Sequence, residues 1–155
     1  MAACVQHKGV KFQWAPLLQG VEGNGKTLFT RCVAEAVGRR YVHWPKASKL
    51  AAQFNSWMIG KLFYGVEDIY VPDQKREIIE ELKPMITGGD GLEIEGKGVD
   101  QISADVCGNF MFNSNHQDAV RKTKNDRRFC LLFSAQQQAE DLKRDGMDEI
   151  GRAHV

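Results

Sequence analysis

At 155 residues, 43% of them hydrophobic and 26% charged, the chain holds enough apolar material for one globular core and not for two. A formal net charge of +1 excludes bulk attraction to nucleic acid or to a membrane surface, so any contact with a polyanion must come from a local cluster. No apolar run nears the roughly 20 residues that cross a bilayer, and the first fifteen residues lack a signal-peptide h-region. The four cysteines stand singly, without a CxxC pair, which argues for reduced thiols in a cytoplasmic protein over a zinc site or a disulfide framework.

In chain order, residues 12–19 (FQWAPLLQ) form a short apolar run closed by Gly20 and predict a buried strand. A glycine-rich turn follows. Residues 27–37 then carry Leu28, Cys32 and Ala36, and Phe29, Val33 and Val37, at helical spacing, with Gly38 as the stop. Residues 40–44 (RYVHW) predict a second strand. Ser48 is placed to cap a helix running to Met58, with Leu50, Phe54, Trp57 and Met58 on one side. Residues 61–69 (KLFYGVEDI) predict a third strand ending in two acids. Residues 72–86 predict a charged amphipathic helix striped by Ile78, Ile79, Leu82, Met85 and Ile86. Over residues 87–105 the pattern changes to alternation, with a turn at Gly96, Lys97 and Gly98, which predicts a β-hairpin tipped by Lys97. Residues 109–115 and 127–133 predict a fourth and a fifth strand, and residues 135–143 a last helix. The pattern is that of an α/β fold: a central parallel five-stranded sheet between helices, with an inserted β-hairpin.

Five features carry candidate chemistry. Gly20, Val21, Glu22, Gly23, Asn24, Gly25, Lys26 and Thr27 spell GxxxxGKT between a strand and a helix. The glycines let backbone amides wrap phosphate oxygens, Lys26 reaches the terminal phosphates, and the Thr27 hydroxyl ligates Mg²⁺. Glu67 and Asp68, at a strand end, supply one acid for Mg²⁺ and one for the attacking water, in either order. The plainer reading is a solvated strand end. Asn113, Ser114 and Asn115 end an apolar strand, where an amide can orient water beside a γ-phosphate or simply close a turn. Residues 121–128 hold five basic residues and one acid, and are either a solvated loop or a source of phosphate contacts, including an arginine finger from Arg127 or Arg128. Lys97, between glycines, is either a polar turn residue or a contact to a DNA backbone.

In this order the features resemble superfamily 3 helicases, AAA+ P-loop ATPases of the phage, plasmid and poxvirus-like primase-helicase branch. Residues 54–62 (FNSWMIGKL) and 82–90 (LKPMITGGD) also look like that branch, and the likeness runs over residues 12–147. The resemblance implies that residues 1–149 are a helicase ATPase domain, incomplete at both ends. Residues 150–155 (IGRAHV) read as a tail translated from a sequencing adapter. It further implies ATP and Mg²⁺ as cofactors, Walker A at Gly20 to Thr27, Walker B at Glu67 and Asp68, and the sensor asparagine at Asn115. Lys97 falls on the hairpin that grips single-stranded DNA, and Arg127 or Arg128 on the finger that acts on a neighbouring subunit. The family assembles as a hexameric ring that moves 3′ to 5′ on single-stranded DNA, with a primase domain or partner, in the replication complex of a phage or mobile element in the host cytoplasm. Two other readings stand beside it: another AAA+ or P-loop ATPase, such as an origin loader or packaging motor, and a non-catalytic nucleotide-binding module.

Overall fold

Five strands of the chain come together in parallel, and a two-stranded hairpin stands apart from them. The computed structural model describes residues 2–50, 55–71, 77–88, 91–96, 99–116, 119 and 127–146. Among them lie helix α1 (Ala2–Gln6), strand β1 (Ala15–Gln19), helix α2 (Lys26–Val37), strands β2 (Val42–His43) and β3 (Phe63–Val66), helix α3 (Glu77–Thr87), the hairpin strands β4 (Leu92–Gly96) and β5 (Val99–Ala104), strands β6 (Asn109–Ser114) and β7 (Phe129–Phe133), and helix α4 (Ala139–Arg144). Five of the strands form one sheet in the order β2-β3-β6-β1-β7, and every pairing in it is parallel. The hairpin is antiparallel and separate, with a register irregularity between Ile94 and Gly96.

Strand alternation sorts the core into two layers. Ala15, Leu17, Tyr64, Val66, Phe110, Phe112 and Phe129 face α3, whose buried Ile79, Leu82, Met85 and Ile86 sit at helical spacing, and Ile94 of the hairpin joins them. Phe63, Met111 and Val42 face the opposite way, against Val33, Ala34 and Val37 of α2. The helices therefore cover both faces, as the sequence predicts. The buried stripe of α2 is Thr30, Val33, Ala34 and Val37, whereas Leu28 and Phe29 are 43% and 50% exposed and Cys32 lies outside as well. The helix is thus rotated from the orientation its apolar residues favour, a rotation that turns Thr27 and Thr30 toward the ends of β3 and β6.

The helix expected from Ser48 to Met58 is replaced, among the described residues, by two short 3₁₀ turns at Ala47–Lys49 and Ser56–Met58. Asn55 is claimed by the hairpin instead: its backbone N–H donates to Glu95 O, its side-chain amide to Glu93 O, and its Oδ1 accepts from Glu95 N. Those tertiary bonds outweigh a local helical preference. The first strand begins at Ala15 and not at residue 12, because the Asn109 side chain takes the pairing role further back. Its Oδ1 accepts from Phe12 N and its amide donates to Val10 O. The last helix begins later than predicted, at a capping box made by Gln138 and Asp141.

Lys11 ties this end of the sheet to α3. Its ammonium donates to Met85 O at 2.8 Å and to Gly108 O, and lies 5.4 Å from the Phe110 ring centre. Burial pushes it down to about 8. Between pH 8 and the ordinary lysine range the unfolded chain then binds the extra proton, so stability rises with pH across that window. Chemical denaturation of wild type and Lys11→Met at several pH values checks this: the stability difference in favour of wild type should widen from pH 8 to pH 10.

Candidate functional site

The end of β1 runs into a loop whose shape depends on its glycines. Gly23 and Gly25 hold φ of 85° and 86°, in the left-handed region that other residues enter at a cost, and Gly25 leads directly into α2. Gly20 is packed so closely that an added Cβ would lie 2.0 Å from Ser134 Oγ and 2.3 Å from Asn24 Nδ2. The loop closes on its own lysine. Lys26 Nζ donates to Gly20 O at 2.8 Å, Val21 O at 2.7 Å and Asn24 Oδ1 at 2.9 Å, which uses all three ammonium protons. Asn24 donates in turn to Ser134 Oγ at 2.7 Å, and Val21 N to Gln136 O, so the loop is braced by the segment after β7. Burial pushes the Lys26 ammonium below its usual range, and Asp68, Glu67 and Glu22 act in the other direction.

The two acids reach the same place by different routes. Alternation along β3 sends Phe63, Gly65 and then Glu67 to the α2 side. There Thr27 Oγ1 donates to Glu67 Oε2 at 2.7 Å. An extended chain would send Asp68 to the opposite side. Asp68 instead adopts φ of 50°, the one positive value outside glycine among the described residues, and so ends the strand. The turn is held by Ile69 N donating to Asn113 O at 2.9 Å and by Asn115 Nδ2 donating to Asp68 Oδ1 at 3.0 Å. With this break both carboxylates line one cavity of about 420 Å³, together with Glu22, Gly23, Asn24, Gly25, Lys26, Thr27, Arg31 and Asn115. Gly20 and Val21 form the base of the same loop.

Three carboxylates against two cations leave the lining with a formal excess of one negative charge, an environment that by itself repels a polyphosphate. Glu67 Oε1 is buried and has no hydrogen-bond partner among the described residues. An orphaned carboxylate oxygen beside a threonine hydroxyl is the donor set a hard divalent cation takes, and such an ion would reverse the local charge. The residues present therefore fit a hard divalent cation such as Mg²⁺.

Asn113 was legible only as one member of a polar strand end. In the fold it is buried, and its amide donates to Thr30 Oγ1 at 2.9 Å and to Glu67 Oε2 at 3.3 Å. Its alternation with Met111, which faces α2, is the signal that separates it from Ser114. Arg127 and Arg128 stand elsewhere. Arg128 O accepts from Ala15 N at the starting ends of β1 and β7, whereas the cavity lies beyond the finishing ends of β1, β3 and β6. They are separated from it by the length of a five-residue strand, about 16 Å. Lys97, and residues 121–126 of the basic stretch, lie outside the described residues. Among the described residues no helix is long and apolar enough to cross a membrane.

A solved apo structure of the NrS-1 C-terminal region matches the fold with a TM-score of 0.74 at 20% identity, over 99% of this chain and 40% of that one. Another, the A form of the same region, matches with a TM-score of 0.68 at 21% identity, over 97% of this chain and 36% of that one. At such identities the likeness is one of fold, and the chain spans about 40% of the length of the first of these structures. No curated protein matches the chain. A family profile matches residues 18–128, which run from the end of β1 to the start of β7 and so contain the whole cavity. That match covers more than half of the sequence, and the chain belongs to this family, DUF5906, a family of unknown function.

Proposed function

We propose that the chain is the ATPase core of a ring-forming superfamily 3 DNA helicase, acting in replication of a phage or plasmid as part of a longer protein. The observation that carries the reading is the meeting of Lys26, Thr27, Glu67, Asp68 and Asn115 around one cavity at the finishing ends of three parallel strands. Crevices at that end of an open α/β sheet are where such folds bind nucleotides.

On this reading the phosphates of ATP take the place of the acceptors that Lys26 now finds in Gly20, Val21 and Asn24. The amides of the glycine turn and the start of α2 hold the same phosphates. Thr27 and Glu67 would hold Mg²⁺, the latter directly or through water, and the ion would supply neutralisation of phosphate charge. Asp68, beside Asn115, accepts a proton from the attacking water, and Asn115 fixes the direction of that carboxylate. Lys97 is proposed as the pore contact to single-stranded DNA, and Arg127 or Arg128 as the finger that reaches a neighbouring subunit's ATP.

The test is Mg-ATP hydrolysis by the ring-forming protein, with and without single-stranded DNA, and with Lys26→Ala as control. Turnover stimulated by DNA and absent in Lys26→Ala is the expected result. Turnover indifferent to DNA would replace the helicase with another P-loop ATPase. An assembled ring without turnover would leave a nucleotide-binding module.

A further inference from the structure

We infer that Asn113 is a positioning residue that fixes which oxygen of Glu67 is offered to the nucleotide's cation. The inference rests on the nucleotide-binding reading and deepens it.

Glu67 stands past the last residue of β3, where a carboxylate on a flexible stem ordinarily rotates freely. Here two donors converge on one of its oxygens. Thr27 Oγ1 lies 2.7 Å and Asn113 Nδ2 3.3 Å from Oε2, while Oε1 is buried and receives no hydrogen bond from the described residues. The carboxylate is thereby divided into an occupied oxygen and an available one.

Of the two donors, only Asn113 is independent of the ligand. The Thr27 hydroxyl must share its oxygen with an arriving cation, whereas the Asn113 amide is held from the other side by Thr30 Oγ1 at 2.9 Å, deep under α2. Its orientation has one solution. Turning the amide over would set Oδ1 against Glu67 Oε2, acceptor against acceptor, so the nitrogen faces the carboxylate. Oδ1 is left buried without a partner among the described residues, a cost that a purely structural asparagine would not need to bear. Asn113 also accepts Ile69 N through its backbone carbonyl, so the same residue holds the chain just beyond Asp68. Groups that orient a metal-binding side chain commonly change metal affinity about 10- to 100-fold when removed.

The experiment is a titration of this chain with a fluorescent ATP analogue, in EDTA and across a Mg²⁺ series, for wild type, Asn113→Asp and Asn113→Leu, with thermal melting of each in the absence of nucleotide. The first variant nearly preserves shape and sets a carboxylate oxygen against Glu67. The second removes both donors without adding charge, so the test stands if either one folds. The expected result is Mg²⁺-free binding close to wild type and a Mg²⁺ requirement raised about 10- to 100-fold. Equal loss of binding with and without Mg²⁺, tracking a lowered melting temperature, would make Asn113 merely structural and overturn the inference. So would a variant that keeps the wild-type Mg²⁺ response. A wild-type chain that binds the analogue in neither condition overturns the nucleotide-binding reading itself, and this inference with it.

Discussion

Asp68→Asn is expected to leave Mg-ATP binding close to wild type while lowering hydrolysis about 10²- to 10⁴-fold, the usual contribution of a general base. Glu67→Gln should do the opposite at the first step, removing the Mg²⁺-dependent part of binding before hydrolysis can be asked about. The difference follows from the surroundings of the two acids. Asp68 contacts Asn115 and sits on a backbone with φ of 50°, a conformation asparagine enters more readily than most residues, so the variant should fold without penalty. It loses only the ability to take a proton. Glutamine at position 67 can still accept from Thr27 and Asn113 through its carbonyl oxygen, but its amide group then occupies the place of the free Oε1 and presents donors to a cation. Binding of a fluorescent nucleotide across a Mg²⁺ series, together with steady-state turnover by the assembled protein, separates the two. If both variants lost binding to the same extent, the division of labour between the acids would be wrong.

Much of the scaffold can be read from local pattern. β1 and β6 are apolar runs because a parallel strand under helices is buried on both faces, whereas β7, at the edge of the sheet, leaves Leu132 and Phe133 exposed. The hairpin is visible in the alternation of Leu92 and Ile94 with Glu93 and Glu95, and Ile94 indeed enters the core. The glycine turn is legible because backbone wrapping demands glycine at fixed offsets. What escapes local reading is whatever long-range contacts decide. Leu28 and Phe29 are more apolar than Thr30, yet Thr30 is fully buried, because it meets Asn113, 83 residues away. Among the described residues, the segment before β3 shows short 3₁₀ turns where local pattern predicts a helix, and Asn55 is bound to the hairpin. The left-handed turn at Asp68 lets two adjacent acids face one cavity, and no periodicity of β3 announces it. Asn115 was legible as a polar group at a strand end, whereas the role of Asn113 emerges only when alternation is combined with the parallel register beside β3.

Arg127→Ala, in the ring-forming protein, is expected to lower hydrolysis about 10³-fold or more with nucleotide binding retained, the effect of removing an arginine finger. Within one chain the two arginines lie at the far end of β7 from the cavity, so any contribution to hydrolysis must come from a neighbour. Between them exposure favours Arg127, whose side chain is open to solvent where that of Arg128 is half-buried. Arg128→Ala should therefore show its effect in stability more than in turnover. Mixing makes the argument specific. In a ring with one kind of head-to-tail interface, each site joins the loop of one subunit to the arginine of the next. Arg127→Ala subunits retain an intact Lys26, and Lys26→Ala subunits retain an intact Arg127. Each alone should hydrolyse ATP only at a residual rate, but a random equal mixture should make about one quarter of the interfaces complete and recover activity accordingly. Recovery on mixing requires two chains at one site and has no explanation in a site complete within one chain. Mixed rings that form and stay inactive would remove Arg127 from the chemistry.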